Sequence, residues 1–485
     1  MKKYVLQRET SRRDSSTYRI PYRDLLNEQQ YEAVMHDYGP ALVIAGAGTG
    51  KTRTLIYRLA RLVEDGTAPS SILLLTFTRR AARGMLDRAA GVLDDRCTQV
   101  RGGTFHHYCN QLLHQYADRL GFSSKFTLLD QADAHDSIHH IRSTLAQNLR
   151  GQRFPQKQTL AAMFSVAVNK QMSLFEVIAS DFPRFLQHHE VIDELRKRYS
   201  DYKRENDVMD FDDLLVETRR LLLQEGEIRE RVASNNRFVM VDEYQDTNNL
   251  QAELASLFSS VHHNLMVVGD DAQSIYAFRG ANFRNILAFP KLNANCKIIK
   301  LEENYRSTQP ILDLSNNLIN KANEKFEKRF DDHTKRMKDL DAFSGLANGF
   351  SSLEQMLQEL TLEPLDATAV ETEAASRDED PLTLSTIHSS KGLEWDTVFV
   401  IQCLDGVIPS GYSIDDPTAL DEELRLLYVA CSRAREKLFI TYPVTGESTF
   451  GEFFSNPSRF LNNLPEDILE PWMIMDEFDK KQLNE

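Results

Sequence analysis

The sequence predicts an α/β protein with two parallel-sheet domains and a helical domain inserted into the first of them. Short apolar runs, such as residues 41–44 and 238–241, end in Gly-rich or acidic turns, which is typical of buried parallel strands. Helical periods follow these runs, as in residues 55–63, and strands that alternate with helices indicate a parallel sheet. Between about 106 and 209 the strand-like runs disappear and helical periods dominate, which predicts the inserted helical domain.

Three domains agree with the chain length, because 485 residues correspond to about three domains at roughly 100–200 residues each. Further strands are expected at 72–77, 265–268, 297–301, 398–401 and 438–442, and further helices at 127–145 and 192–202. The expected organisation is a flexible N-terminal tail (1–20), a first α/β domain (21–105 and 210–300), an inserted helical domain (106–209), a second α/β domain (301–345 and 381–450), an acidic linker (346–380) and an acidic C-terminal tail (451–485).

The charge balance and the cysteines argue against several classes of protein. Lys plus Arg number 57 and Asp plus Glu number 72, and the formal net charge of −15 disfavours a histone-like protein that holds DNA over a whole basic face. A protein that grips nucleic acid in one groove, by stacking and a few local cations, stays open. The five cysteines lack a CxxC pair, which disfavours a zinc site or a disulfide framework. With no run near the roughly 18 apolar residues of a membrane span, we expect a cytoplasmic protein without a membrane partner.

The strongest local signal is a phosphate-binding loop between a predicted strand and a predicted helix. It reads Ala45-Gly46-Ala47-Gly48-Thr49-Gly50-Lys51-Thr52. Glycines allow backbone N–H groups to converge on phosphate oxygens, and the helix N-terminus adds partial positive charge. Lys51 would reach the β- and γ-phosphates, and the Thr52 hydroxyl would bind Mg²⁺. Ala45 stands where the pattern has its first glycine, and the alternative is a Gly-rich turn that only caps a helix.

Two further predicted strands end in polar side chains that suit nucleotide hydrolysis. Asp242 and Glu243 follow the run 238–241, and parallel strands bring their carboxyl ends to the edge where the phosphate-binding loop lies. Asp242 would hold Mg²⁺ and Glu243 would orient or deprotonate the attacking water. Gln273 follows the run 265–268 and could sense the γ-phosphate. The alternative for each is an ordinary polar turn at the end of a strand.

Several short motifs then follow in a fixed order along the chain. Among them are Val241-Asp242-Glu243-Tyr244-Gln245-Asp246-Thr247-Asn248, Asn304-Tyr305-Arg306-Ser307-Thr308, and residues 26–30, 76–78, 103–106, 269–281, 386–394 and 423–434. Together with the phosphate-binding loop they resemble the motifs of superfamily 1 DNA helicases of the UvrD/Rep/PcrA type, over residues 26–441. The resemblance implies two RecA-like P-loop NTPase domains with parallel sheets, and a helical domain inserted in the first.

The resemblance also implies ATP and Mg²⁺ as cofactors. The implied ATP-binding residues are Gln30, Ala45, Gly46, Ala47, Gly48, Thr49, Gly50, Lys51, Thr52, Arg53, Tyr305 and Glu394, with Thr52 and Asp242 for Mg²⁺. The implied catalytic residues are Lys51, Glu243, Gln273, Arg306 and Arg433. Gln30 and Tyr305 would contact adenine, and Glu394 the sugar. Arg306 and Arg433 would be arginine fingers from the second α/β domain, since arginine carries a permanent charge on a fork that matches phosphate oxygens. Taken alone, Arg433 would be a cation on a helix surface.

A path for single-stranded DNA, and for junctions of single- and double-stranded DNA, is implied across both α/β domains. The implied DNA-binding residues are Thr76, Phe77, Thr78, Thr104, His106, Tyr276, Phe278, Arg279, Thr386 and His388. Phe77, Tyr276 and Phe278 would stack on bases, and the threonines and histidines would contact phosphates. The alternative for each aromatic residue is core packing. Arg79 and Arg80 replace the Asn-Lys that is usual in the family, which keeps or raises the local positive charge.

The implied activity is an ATP-dependent DNA helicase or translocase that moves 3′-to-5′ on single-stranded DNA in repair or replication, as a monomer or weak dimer. Arg306 and Thr386 are only 80 positions apart, far fewer than the family places there. We therefore expect that most of a large helical insertion is missing, together with a strand and a helix of the second α/β domain. The alternatives are a DNA-stimulated ATPase that does not unwind duplexes, and a DNA-binding relic without catalysis.

Overall fold

The computed structural model describes residues 18–145, 153–277, 280–322, 325, 331–332, 382–448, 451–465 and 467–472. The chain divides into two compact units, residues 1–302 and 303–485. Most of the predicted N-terminal tail, the whole predicted acidic linker 346–380, and the predicted DNA-binding residues Phe278 and Arg279 lie outside the described residues. No helix in the described part of the chain is long and apolar enough to cross a membrane.

The described strands are β1 (Ala41–Ala45), β2 (Ile72–Leu75), β3 (Arg101–Gly103), β4 (Thr127–Leu128), β5 (Val208–Met209), β6 (Phe238–Val241), β7 (Leu265–Gly269), β8 (Lys297–Leu301), β9 (Glu303–Asn304), β10 (Asp331–Asp332), β11 (Trp395–Val400), β12 (Ala434–Ile440), β13 (Thr445–Ser448) and β14 (Gly451–Phe454).

The described α-helices are α1 (Tyr22–Leu25), α2 (Glu28–Met35), α3 (Lys51–Glu64), α4 (Arg79–Val92), α5 (Phe105–Tyr116), α6 (Gln131–Leu145), α7 (Lys157–Lys170), α8 (Leu174–Asp181), α9 (His189–Glu205), α10 (Phe211–Gln224), α11 (Gly226–Asn235), α12 (Asn249–Phe258), α13 (Arg284–Leu292), α14 (Gln309–Ile319) and α15 (Pro417–Cys431).

A six-stranded parallel sheet forms the centre of the first unit, in the order β3-β2-β6-β7-β1-β8. Strands β1, β2, β6 and β7 are buried along their whole length, which explains why they appear in the sequence as continuous apolar runs. Alternate residues such as Val43 and Met240 form one face, which packs on α2, α3 and α4 through Ala33, Leu59 and Met85. The predicted α/β class and the parallel sheet are confirmed, and all the strands end at the same edge.

A buried arginine on α3 holds this helix against the end of α2. Arg58 on α3 donates hydrogen bonds to the carbonyls of Ala33, Val34 and His36, where α2 ends. These carbonyls have no partner within their own helix, so a cation from the neighbouring helix satisfies them. The pairing holds α2 against the helix that follows the phosphate-binding loop.

Helices α6 to α9 have a hydrophobic core of their own. It includes Ile138, Leu160, Val177 and Leu195, each of which is almost fully buried. The expectation that residues 106–209 contain no strands was wrong, because β4 pairs in parallel with β5. The predicted helix at 127–145 begins only at Gln131, since residues 127–128 join that strand pair. The separate core supports the proposal of an inserted helical domain.

The second unit contains a two-stranded parallel sheet of β11 and β12, with helices α14 and α15. The strands expected at 398–401 and 438–442 are present but begin three to four residues earlier. Phe399 on β11 is 58% exposed, and its ring stacks on that of Phe439 on β12 with the ring centres 4.6 Å apart. The hairpin β13–β14 and the ion pair between Arg459 and Asp405 belong to the same unit. The boundary expected at residue 451 therefore falls within folded structure.

Candidate nucleotide-binding site

The phosphate-binding loop lies between the end of β1 and the start of α3, so the predicted order of strand, loop and helix is confirmed. Gly48 and Gly50 have φ angles of 76° and 85°, which residues with a Cβ rarely adopt. Thr49 Oγ1 donates a hydrogen bond of 2.9 Å to the Gly46 carbonyl and so braces the loop. Because α3 begins at Lys51, the loop leads into the positive end of a 14-residue helix. This arrangement suits a phosphate ligand.

Gln30 is buried against this loop. Its Nε2 donates a hydrogen bond of 3.0 Å to the Thr49 carbonyl, and a Cβ on Gly50 would lie 2.6 Å from that nitrogen. Its Oε1 accepts from the backbone N–H of Asn27 in the capping box that starts α2. Gly50 is therefore needed for the space that Gln30 occupies as well as for its own backbone angle. The contact between Gln30 and adenine stays a prediction.

Lys51 and Asp242 bring buried polar atoms to the strand ends. Lys51 Nζ lies 3.7 Å from Glu243 Oε2, and neither Lys51 Nζ nor Asp242 Oδ1 hydrogen-bonds to another described residue. Burial raises the pKa of the Asp242 carboxyl to about 7; the Glu243 carboxylate acts in the same direction and Lys51 opposes it. A buried ammonium and a buried carboxylate oxygen that lack hydrogen bonds fit a ligand that carries both anionic oxygens and a cation.

The donor set fits a magnesium nucleotide. Thr52 lies in the first turn of α3 and Asp242 directly follows β6, and hydroxyl and carboxylate oxygens are ligands that Mg²⁺ prefers. We propose that these two residues would hold the ion, which when bound neutralises charge on the β- and γ-phosphate oxygens. Arg53, the next residue of α3, donates to the Leu25 carbonyl over 3.0 Å.

Glu243 has an unusual backbone conformation that a buried glutamine supports. Its φ and ψ of 50° and 44° are left-handed, which is uncommon for a residue with a side chain. Gln245 Nε2 donates to Glu243 Oε2 over 2.5 Å, and Gln245 Oε1 accepts from the Asp270 N–H over 2.9 Å. Gln245 is fully buried and links the end of β6 to the end of β7. A Cβ on Gly269 would lie 2.4 Å from Gln245 Oε1, so this glycine is the sequence signal that could have revealed the link.

Gln273 continues the same network. It closes the short 3-10 turn Asp271–Gln273 after β7, and its Nε2 donates to Asp270 Oδ2 over 2.7 Å. Asp270 Oδ1 accepts from the N–H of Ala272 over 3.1 Å. A chain of hydrogen bonds therefore runs from Glu243 through Gln245 and Asp270 to Gln273. Sequence reasoning named the two ends of this chain and missed its middle.

In the second unit the structure brings Arg306 and Glu394 together. Arg306 Nε forms an ion pair with Glu394 Oε2, and the Glu394 side chain is 42% exposed. The Arg306 N–H donates to Asn304 Oδ1 over 2.8 Å, and Tyr305 Oη donates to Glu303 over 2.5 Å. The pair thus lies where the turn after β9 meets the segment before β11.

Arg433 lies inside the second unit. Its guanidinium donates to the carbonyls of Val429 and Leu393 over 2.9 and 3.1 Å and to Ser432 Oγ over 2.9 Å. Only 2% of the surface of Arg433 is exposed, so it is not the helix-surface cation that would be expected of this arginine taken alone. Its role as an arginine finger stays a prediction, and it requires some of these hydrogen bonds to be exchanged for phosphate oxygens.

Two of the predicted DNA-binding aromatic residues stack on each other in the first unit. The rings of Phe77 and Tyr276 are 5.3 Å apart with an angle of 17° between their planes, and Phe77 is 45% exposed. Thr76 is buried and Thr78 caps the start of α4, accepting from the N–H of Ala81 over 3.1 Å. Stacking of an exposed Phe77 on a half-buried Tyr276 differs from core packing, which was the alternative for both.

A second ring pair begins at α5. Thr104 caps this helix and accepts from the N–H of His107 over 3.2 Å. The His106 ring lies 5.3 Å from the ring of Phe211, which is 57% exposed at the start of α10. Burial lowers the pKa of His106 to about 4, so its ring is neutral near pH 7. Sequence reasoning missed Phe211, because a single aromatic residue after an Asp cap gives no signal of exposure.

The remaining predicted DNA-binding residues lie in the second unit. Thr386 is exposed, and its Oγ1 donates to Ser389 Oγ over 3.0 Å and accepts from the Ser389 N–H over 3.2 Å. His388 lies in the same turn, ahead of β11. Their contact with DNA stays a prediction.

Comparison with known proteins agrees with these motifs. Residues 26–294 match the UvrD/REP helicase N-terminal domain, and residues 328–445 match the UvrD-like helicase C-terminal domain. The chain is similar to the ATP-dependent DNA helicase PcrA of Staphylococcus aureus, with 36% identity over 307 residues, and to that of Staphylococcus epidermidis, with 35% identity over 305 residues. Each match covers 62% of this chain and 41% of the relative, so the chain spans about two fifths of the length of these curated relatives. The chain belongs to the UvrD/REP helicase family.

Proposed function

We propose that this chain is an ATP-dependent motor that moves 3′-to-5′ on single-stranded DNA and acts as a helicase in repair or replication. The observation that carries the proposal is the position of Lys51, Asp242 and Glu243 at one sheet edge beside the phosphate-binding loop. The match to PcrA, whose printed name is an ATP-dependent DNA helicase, supports the choice of ATP and DNA.

In the proposed hydrolysis, Lys51 contacts the β- and γ-phosphates while Thr52 and Asp242 hold the cation. Glu243 would orient a water molecule for in-line attack on the γ-phosphate and accept its proton, while the bond from the γ-phosphorus to the bridging oxygen breaks and ADP leaves. The bond from Gln245 restricts the Glu243 carboxylate to one orientation before ATP arrives, which removes part of the entropic cost of positioning. Arg306 and Arg433 of the second unit would neutralise charge on the transferred phosphoryl group.

Coupling to DNA is supported by the short distance in sequence between Gln273 and Tyr276. Both follow β7 on one loop, where Gln273 hydrogen-bonds Asp270 and Tyr276 stacks on Phe77. A shift of Gln273 on loss of the γ-phosphate would therefore move the ring on which a base stacks. Stacking tolerates any base sequence and contributes about 1–3 kcal/mol per base, which suits a motor that steps along a strand.

The test is ATP hydrolysis with and without an oligo-dT strand. We expect DNA to stimulate hydrolysis by the wild-type chain, and we expect Lys51→Ala to lower kcat by roughly 100-fold or more, the usual cost of losing a transition-state charge partner. Lys291→Ala, which removes an exposed lysine on α13, is the matched control and should retain wild-type hydrolysis. A wild-type rate of hydrolysis in Lys51→Ala would refute the proposed nucleotide site. A hydrolysis rate of the wild type that does not change when DNA is added would refute the proposed motor.

A second candidate is a translocase that hydrolyses ATP on DNA without separating strands. The observation that favours it is the short stretch between Arg306 and Thr386, which are only 80 positions apart, far fewer than the family places there. This candidate keeps movement on single strands and loses only duplex opening. Release of a strand from a duplex with a 3′ tail therefore distinguishes the two. A non-catalytic relic would bind DNA and leave ATP intact.

A further inference from the structure

A half-buried asparagine near the end of α7 joins the helical core to the segments around the parallel sheet. Asn169 is the last residue but one of α7, whose Leu160 and Met163 lie in the core formed by helices α6 to α9. It belongs neither to the predicted nucleotide site nor to the predicted DNA-binding residues. Its side chain nevertheless contacts segments that lead away from both.

The oxygen of the Asn169 amide contacts the segment that follows Glu243. Asn248 lies five residues after Glu243, and its Nδ2 donates to Asn169 Oδ1 over 2.7 Å. Asn248 Oδ1 accepts from the backbone N–H of Gln251 over 2.8 Å, in the capping box that starts α12. Because a backbone N–H can only donate, this bond determines which end of the Asn248 amide points at Asn169. The Asn248 amide therefore has one orientation.

The nitrogen of the Asn169 amide donates within α7 and to the start of α10. Asn169 Nδ2 lies 2.9 Å from the Ser165 carbonyl oxygen and 3.0 Å from Asp212 Oδ1. This nitrogen has two hydrogens for these two acceptors, so both ends of the amide are bonded. A side chain that differs from asparagine only in charge would therefore disrupt the junction.

Asn169 also packs against the turn that follows Tyr276. The turn is closed by donations from the Gly280 N–H to the Ala277 carbonyl over 2.8 Å and from the Ala281 N–H to the Tyr276 carbonyl over 3.2 Å. Gly280 has a φ of 84°, and a Cβ on it would lie 2.8 Å from the Cβ of Asn169. Glycine is therefore needed here both for the backbone angle and for the close approach to α7.

The two segments that contact Asn169 are also bonded to each other. The carbonyl of Thr247 accepts from the N–H of Asn282 over 3.0 Å and from Asn285 Nδ2 over 2.9 Å. Thr247 directly precedes Asn248, and Asn282 comes two residues after Gly280. A displacement of the turn after Tyr276 would thus reach the segment after Glu243, and Asn169 holds both against the helical core.

We propose that Asn169 is a positioning residue that couples base stacking at Tyr276 to ATP hydrolysis at Glu243. The inference rests on the proposed function, because it takes single-stranded DNA as the substrate. Without the Asn169 junction, a shift of Tyr276 on DNA is absorbed by movement against α7 and reaches Glu243 less completely. Hydrolysis without DNA depends on Gln245, which orients Glu243 independently of α7. Loss of the junction therefore lowers the stimulation by DNA and spares the basal rate.

The test is kcat for ATP with and without saturating oligo-dT, in Asn169→Asp, Asp212→Asn and the double variant. Asn169→Asp places a second carboxylate against Asp212, so we expect stimulation by DNA to fall by about 10-fold while the basal kcat stays within about twofold. In the double variant an amide at position 212 can donate to the carboxylate at position 169, which still accepts from Asn248. Stimulation should then return to within about threefold of wild type. The assay is run at pH 8, because burial raises the pKa of Asp212 and a higher pH favours the ionised carboxylates.

Asn206→Asp is the matched control. Asn206 is exposed at the end of α9 in the same helical core, and its Nδ2 bonds the Tyr202 carbonyl of its own helix. This variant should keep wild-type stimulation, and thermal melting verifies that every variant is folded.

Three results would overturn the coupling role of Asn169 while leaving the proposed motor intact. They are wild-type stimulation in Asn169→Asp, an equal loss of the basal and the stimulated rate, which marks a purely structural role, and a double variant no better than Asn169→Asp. Absence of stimulation in the wild type would instead overturn the proposed function and this inference with it.

Discussion

At the scale of single residues, Gln245 explains how the Glu243 carboxylate is oriented for its proposed role in hydrolysis. Its amide donates to the Glu243 carboxylate and accepts from the Asp270 N–H, and it has no exposed surface. A buried amide with both ends bonded resists rotation, because any other orientation leaves polar groups unsatisfied. We therefore regard Gln245 as a positioning residue that acts through Glu243.

Two substitutions of Gln245 should distinguish its effect on the rate of ATP hydrolysis from its effect on stability. In Gln245→Glu the Asp270 N–H keeps an acceptor, but a second carboxylate repels Glu243, so we expect kcat for ATP to fall by roughly 10- to 100-fold with little change in KM. In Gln245→Leu the Asp270 N–H loses its acceptor as well, and the free energy of unfolding should fall by about 1–3 kcal/mol. Steady-state kinetics and urea denaturation measure the two effects. Wild-type kcat in Gln245→Glu would contradict the positioning role.

Residues at strand ends could be predicted from the sequence, whereas residues that act through burial could not. Asp242 and Glu243 directly follow an apolar run, and Lys51 follows the glycine-rich loop after another; parallel strands necessarily bring such ends to one edge. Gln245 and Phe211 depend on which neighbours surround them in space. The sequence pattern around Phe211 is that of any capped helix, and only the structure shows that its ring is exposed beside His106.

At the scale of elements, the contact between α2 and α3 determines where Gln30 meets the phosphate-binding loop. Arg58 bonds three carbonyls at the end of α2, and Gln30 on the same helix bonds the Thr49 carbonyl. The Arg58 contact fixes the orientation of α2, and in that orientation Gln30 reaches the Thr49 carbonyl of the loop. The apolar periods of α3 predicted this helix, but an arginine in mid-helix gives no sign that it is buried.

Removal of the Arg58 guanidinium should loosen this contact. Arg58→Met keeps a long side chain but removes the donor to the carbonyls of Ala33 and Val34, while Arg61 still donates to those of Met35 and His36. We therefore expect a loss of about 1–3 kcal/mol in the free energy of unfolding. Arg231→Met, at an exposed position on α11, should change it by less than about 0.5 kcal/mol. Urea denaturation of both variants is the measurement. Equal stability of Arg58→Met and wild type would show that the carbonyls are satisfied in another way.

The central strands were predicted more accurately than the short ones for a physical reason. Strands β1, β6 and β7 are buried on both faces and so appear as apolar runs, whereas β4 and β5 have two residues each and no pattern of their own. A strand pair as short as β4 and β5 forms because the surrounding helices bring the two segments together.

At the scale of the whole molecule, the acidic composition and the proposed DNA binding are compatible. The net charge of −15 belongs to the whole chain, whereas Arg79, Arg80 and Arg83 place three exposed cations on α4, which begins two residues after the stacked ring of Phe77. Local stacking and local cations therefore replace a broad basic face. The second unit carries Arg306 and Arg433, so the proposed motor needs both units for hydrolysis.

Directed movement is most directly measured by displacement of streptavidin from single-stranded DNA that carries biotin at one end. We expect ATP to drive displacement from the 5′ end much faster than from the 3′ end, because a motor that moves 3′-to-5′ reaches the 5′ end. Lys51→Ala should displace streptavidin from neither end. Hydrolysis of ATP on DNA with equal displacement from both ends, or with faster displacement from the 3′ end, would contradict the proposed motor.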